Sequence, residues 1–378
     1  MSSNAPAFTA APAKPARRDF IKNSAMLAVP LLIGGVSLPA FALTTPPARS
    51  RGTTLRDVKA YGAYGDGLHD DTAAIQAAIN SLPTTGGTVT IPAGTYLIDT
   101  SKKINLRSLM HLKMDPNAIL KAKTSSLSRH YLVYISNKSD VEISGGQLVG
   151  DRDTHKYATS GTHEWGHGLQ ILGGKRVTVR DMHVSKCTGD GVCIGGSSAD
   201  VVIANIISTQ NRRQGLSITN CSNIKVYDSE FSYTQGTSPE CGIDIEPDAG
   251  YSCTNVLIQN CRLNNNKRYG LNIWNRTTNV TLDGNTFEYN GSLGMGTVGI
   301  SGLTVTNNIF RFNSATGVVY NTNTTNAKHN NNLSYSNYTR LGAKTRTPFT
   351  QTGWTSKIER DVLLRNGATT VVGTNNFK

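Results

Sequence analysis

The chain has six cysteines but no C-x-x-C pair, and all six lie between 187 and 261. That absence argues against a zinc ribbon, a dithiol redox motif and an iron–sulfur ligand set. Recognition-helix and zinc-finger patterns are also missing, so nucleic acid is not an expected partner. The one apolar run, Ala25 to Val36, is short and broken by Pro30, Gly34 and Gly35, which speaks against a stable membrane anchor. Charge is sparse, at 17% of 378 residues. In its place stand Asn, Thr, Ser and 37 glycines. Polar, uncharged stretches with β-branched residues suit stacked strands and tight turns better than helices.

The N-terminus reads as an address. Arg17-Arg-Asp-Phe-Ile-Lys22 precedes the apolar run, and Ala40-Phe-Ala42 gives a small-x-small cleavage pattern. The paired arginines followed by Phe, Ile and Lys resemble the twin-arginine export signal of bacteria, with Ala16 where Ser is usual. Residues 1–42 are therefore expected to engage the twin-arginine machinery, and the product to be periplasmic or secreted. Their removal takes four Lys/Arg and one Asp from totals of 38 and 25, leaving a formal charge of +10. A basic exported protein attracts polyanions, and an acidic polysaccharide is the expected partner.

The remainder repeats one phrase of glycine, apolar, polar, apolar. It occurs as Gly168-Leu-Gln-Ile-Leu172, Gly191-Val-Cys-Ile-Gly195, Gly215-Leu-Ser-Ile-Thr219, Gly242-Ile-Asp-Ile-Glu246 and Gly270-Leu-Asn-Ile-Trp274. The steps are 23, 24, 27 and 28 residues, one strand per coil of a solenoid. A second family, led by Val177, Val202, Ile224, Val256, Val280 and Leu303, keeps the same interval. Each of its members is followed by a further short apolar alternation. Two to three strands per coil running the same way predict an all-β, right-handed parallel β-helix, a single-stranded solenoid. Cys221 and Cys253 hold equivalent places three residues before Ile224 and Val256, so they should stack about 4.8 Å apart, as a disulfide or as buried thiols.

Residues 43–54 read as a mobile linker, 55–335 as the β-helix and 336–378 as a C-terminal cap with an irregular tail. A short capping helix follows Asp70-Asp71, with Ile75 and Ile79 as its apolar stripe. The entry segment Tyr61-Gly-Ala-Tyr-Gly-Asp-Gly67 … Asp70-Asp-Thr-Ala-Ala-Ile-Gln-Ala-Ala-Ile79, then Gly86-Gly-Thr-Val89 and Pro92-Ala-Gly-Thr-Tyr96, resembles the rhamnogalacturonase/epimerase-like domain of the pectate lyase superfamily. That resemblance implies the β-helix fold, which polygalacturonase-type glycosidases, polysaccharide epimerases and phage tailspikes share, and leaves the activity open among them. Asp66, Asp70 and Asp71 read as turn and cap residues rather than catalytic ones.

Strand alternation places the second and fourth residues after each glycine outward. The first of these columns runs Gln170, Cys193, Ser217, Asp244, Asn272, and the other Leu172, Gly195, Thr219, Glu246, Trp274. Beside them stand His167, Asp190, Gln214 and Tyr269 before the glycines, with Arg212, Arg213 and Lys267 close by. Exposed acids among cations and aromatics describe a groove for an acidic sugar chain. Asp244 and Glu246 are about 6.6 Å apart along one strand, and Asp190 is two coils away, about 9.6 Å. Both separations fit paired-carboxylate hydrolysis, with Asp244, Glu246 and Asp190 as catalytic candidates. His167, Arg212, Arg213, Gln214, Lys267, Tyr269, Asn272 and Trp274 are the candidate substrate contacts.

The same letters permit lyase or C5-epimerase chemistry on a uronate, with Arg212, Arg213, His167 or Tyr269 near the carbon and Asp244, Glu246 and Asp248 able to hold calcium. Hydrolysis without a cofactor or metal is slightly favoured because carboxylates dominate the cluster. Family motifs do not decide the matter. Gly166-His-Gly168 precedes the acids, Gly189-Asp-Gly191 lacks a second Asp, and neither Arg-x-Lys nor the Asp-Pro-His of alginate epimerases is present. A non-catalytic polysaccharide-binding solenoid is the alternative from another class. His163-Glu-Trp-Gly-His167 matches H-E-x-x-H, but Gly166 and Gly168 interrupt the helix that zinc proteases need.

Overall fold

The computed structural model describes residues 32–33, 36–37, 44–158, 161–338, 356–359, 361–365 and 367–377. The chain divides into two units, 1–42 and 43–378. In the first, Leu32–Ile33 pairs antiparallel with Val36–Ser37. The arginine pair and the cleavage pattern of the expected export signal lie outside the described residues. No helix of the described residues is long and apolar enough to cross a membrane.

The second unit is a right-handed parallel β-helix. The glycine-phrase strands form one sheet, from Ile104–Asn105 through Trp165–Leu172, Val192–Gly195, Gln214–Ile218, Cys241–Ile245 and Leu271–Ile273 to Val362–Arg365. Two further phrases, at Gly294 and Gly317, extend it as Met295–Val298 and Val318–Asn321. The other two strand families share the remaining sheet, joined by long bent strands such as Lys175–Ser185 and Ser198–Thr209. Val201 rather than Val202 occupies the inward column with Val177 and Ile224. Val202 faces outward, in a small cluster with Ala204 and Tyr227. Inside, residues stack like on like: Leu169, Val192, Leu216, Ile243 and Leu271 are partners in register and fully buried. Each such side chain contributes on the order of 1.5–3 kcal/mol of burial.

Polar rungs complete the interior. The Oδ1 of Asn308 accepts the amide of Asn285, that of Asn332 accepts Asn308, and that of Asn375 accepts Asn332, each at 2.9 Å. A parallel ladder runs Asn266, Asn290, Asn313 and Asn337. Asn266 is therefore an internal rung, while Asn260 and Asn265 take the left-handed backbone expected of turn residues. Cys221 and Cys253 are partners in register with sulfurs 3.8 Å apart, and all six cysteines are free thiols.

The start of the second unit differs from expectation. Residues 44–51 are no mobile linker, since Arg49 donates to Thr178 Oγ1 and the carbonyls of Val177 and Asp200, and Arg51 binds Glu142. The tail adds a coil: Val362–Arg365 pairs with Val318–Asn321, and Thr370–Val372 with Thr325–Asn330. Val362 lies 44 residues after its partner Val318, against 23 from Met295 to Val318, so the repeat interval does not signal it. The capping helix is Thr72–Asn80, burying Ile75, Ala78 and Ile79. Asp70 accepts the Thr72 amide, and Asp71 ties down the amides of Tyr64 and Gly65.

Candidate active site

The repeated glycine is a bend. At Gly242 and Ile243 two consecutive amides donate to the next coil, to Tyr269 O and Gly270 O, both at 3.0 Å, where a regular parallel strand would send only alternate ones. A Cβ on Gly168, Gly191, Gly215, Gly242, Gly270 or Gly294 would lie 2.5–2.8 Å from the carbonyl oxygen of the next coil's glycine. The bend resets the alternation, so the residue before each glycine joins the second residue after it on the outer face. That brings Asp190 onto Ser217 and Gln214 onto Asp244.

Register confirms the outward column as Gln170, Cys193, Ser217, Asp244 and Asn272, and adds Tyr134 ahead of it. Asp244 is its centre. Its Oδ2 accepts Gln214 Nε2 at 2.8 Å and its Oδ1 accepts Asn272 Nδ2 at 2.9 Å. Gln214 cannot turn its oxygen to Asp244, because Oε1 already accepts the Cys241 amide at 2.9 Å. Burial pushes the Asp244 carboxyl up to about 7; the Asn272 bond and Arg213 oppose this, and the charges of Glu246 and Asp190 reinforce it.

Two coils back, Asp190 accepts Ser217 Oγ at 2.9 Å and faces Arg213 Nη1 at 3.2 Å. Glu164 lies 3.4 Å from the same guanidinium. Burial works against the charge of Arg213, but Asp190, Asp244 and Glu164 together hold its pKa above the usual value. His167 Nδ1 accepts the Asp190 amide at 3.0 Å, which places the ring proton on Nε2, a buried atom with no hydrogen-bond partner. Burial lowers His167 to about 4, partly offset by Asp190.

The structure thus sets two bonded groups near each other, Asp244 with Gln214 and Asn272, and Asp190 with Arg213 and His167, coupled through the charge of Arg213, with Glu246 half-buried. It corrects one expectation: these acids are not exposed. Asp244 and Asp190 are 2% and 1% accessible, because the bend folds their neighbours over them. Arg212 is drawn away to the carbonyls of Thr162 and His163 and over the Tyr157 ring, 4.7 Å from its centroid. Lys267 is exposed, Tyr269 lies beneath Arg268, and Trp274 stands at the rim.

Sequence reasoning missed the opposite end of the face. Tyr131 and Tyr134 stack with ring centres 5.3 Å apart, Lys103 Nζ sits 4.5 Å over Tyr134, and Arg129 covers the exposed Trp165 at 4.7 Å. The strand of the two tyrosines, Arg129–Ser136, has no glycine phrase to signal it.

Two groups of side chains among the described residues converge closely enough to hold a metal ion: His130 with Asp151 and His155, and His167 with Asp190 and Cys193. The trio Asp244, Glu246 and Asp248 is not one of them, and Asp248 is bound by Asn220 instead. His163 and His167 of the H-E-x-x-H match belong to different clusters, His163 bonding His155 at 2.9 Å.

Residues 111–287 match the family described as right handed beta helix region, and residues 55–149 that of rhamnogalacturonase A/epimerase, pectate lyase-like. Among curated proteins, the uncharacterized protein YclG of Bacillus subtilis strain 168 is 31% identical over 273 residues, 63% of this chain and 46% of YclG. Mannuronan C5-epimerase AlgE1 of Azotobacter vinelandii is 25% identical over 254 residues, 63% of this chain and 16% of the epimerase. The chain thus spans less than half the length of these relatives. Among solved structures, the A-module of Azotobacter vinelandii mannuronan C-5 epimerase AlgE6 aligns with TM-score 0.58 at 16% identity, covering 85% of this chain and 99% of the module. The Streptococcus pneumoniae adhesin PfbA aligns with TM-score 0.56 at 16% identity, covering 85% of this chain and all of that one. Epimerase and adhesin share this scaffold, so these likenesses speak to fold alone. The chain is a right-handed parallel β-helix protein whose entry segment, residues 55–149, is similar to the rhamnogalacturonase A/epimerase, pectate lyase-like family.

Proposed function

We propose that the protein is an exported enzyme that hydrolyses glycosidic bonds of an acidic polysaccharide, with Asp244 as proton donor. The observation that carries this is the buried Asp244 carboxyl, raised to about 7, beside a second carboxylate that reaches solvent. Hydrolysis of a glycoside needs one carboxyl that keeps its proton near neutral pH and another that activates water, and different surroundings create that difference. Glu246, about 6.6 Å further along the strand, is half-buried and takes the base role. Asp190 anchors Arg213, whose guanidinium would meet a sugar carboxylate. Tyr134 and Trp165 at one end, and Tyr269 and Trp274 at the other, offer ring faces for stacking.

A second reading, elimination or C5-epimerisation, is favoured by the half-buried Arg213, which could neutralise a uronate carboxylate while a neighbour takes the α-proton. Incubation with polyuronates and bacterial exopolysaccharides separates the two. New reducing ends without ultraviolet absorbance are expected; unsaturated ends would mean a lyase, and altered sugar configuration without cleavage an epimerase. Turnover that survives combined Asp244→Asn and Glu246→Gln would sink the site assignment, and binding without turnover by the parent protein would leave a polysaccharide-binding solenoid.

A further inference from the structure

Apart from the acid network, His155 and His163, and His130 from a neighbouring strand, gather around one buried carboxylate, Asp151. Asp151 Oδ1 is 2.7 Å from Thr188 Oγ1 and 3.2 Å from His130 Nε2. Its Oδ2 is 2.9 Å from His155 Nδ1 and 3.0 Å from the Ser125 amide. The side chains of Asp151 and His155 are fully buried, and that of His130 is 4% exposed. Gly166 makes room for the His130 ring, since a Cβ there would lie 2.5 Å from Cε1.

Counting ring protons exposes an imbalance. His163 Nε2 accepts the Ala158 amide at 3.3 Å, so its proton is on Nδ1 and goes to His155 Nε2 at 2.9 Å. His155 is then protonated on Nδ1 and donates to Asp151. That arm closes with neutral rings. His130 does not close. Its Nδ1 is 2.9 Å from the Leu127 carbonyl, which can only accept, so the proton is there and Nε2 turns a lone pair toward Asp151 Oδ1. Two acceptors facing each other in a dry site repel unless a second ring proton or a metal cation lies between them. A metal-bound histidine has this arrangement: one ring N–H given to a carbonyl, the bare nitrogen facing the ion. Two atoms each about 2.0–2.1 Å from a tetrahedral zinc ion are about 3.3 Å apart, close to the spacing seen here.

We propose that His130 Nε2, Asp151 and His155 Nδ1 form a site for a zinc-like divalent cation. Freeing His155 Nδ1 moves its proton to Nε2 and reverses the bond to His163, at the expense of the long contact from Ala158. The group His167, Asp190 and Cys193 fails the same count. His167 has spent its lone pair on the Asp190 amide, and the Arg213 guanidinium already supplies the positive charge beside Asp190. An ion at Asp151 would tie the strand Arg129–Ser136 to the loop that carries Glu164, and so fix the rim of the groove beside Arg213.

The test uses the full chain, stripped with a chelator and titrated with Zn2+ by calorimetry near neutral pH, with metal content measured after desalting. One ion per chain and a raised thermal midpoint are expected. His130→Gln and Asp151→Asn should each weaken binding by more than the roughly 10–100-fold cost of losing an outer-shell partner, whereas His69→Gln, at an exposed pair with Asp66, should change nothing. Should the variants fold poorly, nitrogen chemical shifts of the parent's histidine rings decide: His130 Nε2 should move on adding Zn2+. Overturning results would be no bound ion, affinity unchanged in His130→Gln, or a His130 ring carrying protons on both nitrogens whether or not Zn2+ is present.

Discussion

Replacing Asp244 by Asn keeps the shape of the side chain and removes its charge, so the effect on stability should depend on pH. In the parent the carboxyl rises from an unfolded value of 3.8 to about 7 on folding. A raised carboxyl pKa means that the folded state holds the proton more tightly than the unfolded one. Its burial costs nothing below the unfolded value; the folded state loses ground as pH climbs from about 4 and the loss is complete above about 7. Three pH units correspond to about 4 kcal/mol, an upper figure for a group this enclosed. Asn carries no such dependence. It does turn its own amide toward one of two donors, Gln214 or Asn272, at a cost of about 1–3 kcal/mol. Asp244→Asn should therefore be less stable than the parent near pH 4 and equal or more stable near pH 8. Thermal midpoints of both proteins measured across that range, by circular dichroism, check this. A difference that stays flat with pH would refute the raised carboxyl and, with it, the role of Asp244 as acid. Activity should fall by about 10²–10⁴-fold at every pH, the usual share of a general acid.

Other outcomes follow from the same geometry. Arg213→Gln removes a cation that holds the Asp244 proton less tightly, so the alkaline limb of the activity profile should move to higher pH while turnover drops; a limb that stays put would separate the two residues. Gly242→Ala drives a Cβ to 2.7 Å from the Gly270 carbonyl and should cost about 1–3 kcal/mol in denaturant unfolding, with no change expected only if the coils spread. Asn308→Ala leaves the buried Asn285 amide without an acceptor, for a loss of about 1–3 kcal/mol read as a lower thermal midpoint.

The coil architecture was readable because the glycine phrase repeats letter for letter, and the column from Gln170 to Asn272 came out in register. What the letters did not reveal was the bend. Treating the glycine as one more alternating position leaves His167, Asp190 and Gln214 on the wrong parity, and it is the bend that sets His167 against Asp190, Asp190 against Ser217 and Gln214 against Asp244. The tie of Arg49 across Thr178 was invisible for a different reason, since it joins residues over a hundred positions apart with no local signature. The same holds for His130, Asp151 and His155, brought together by a loop that has no repeat. The aromatic pair Tyr131 and Tyr134 was in plain view but outside the phrase being followed.

The asparagine ladders carry one more implication. Rungs such as Asn285, Asn308 and Asn332 are interchangeable, each bonded to the one before and the one after in the same way. A cut between equivalent points of neighbouring coils, removing one whole turn in frame, would rejoin rung to rung with every amide satisfied. The length of this molecule is thus a modular quantity, like the number of tiles in a row. Evolution or a protein engineer could lengthen or shorten the far end without disturbing the face that carries Asp244.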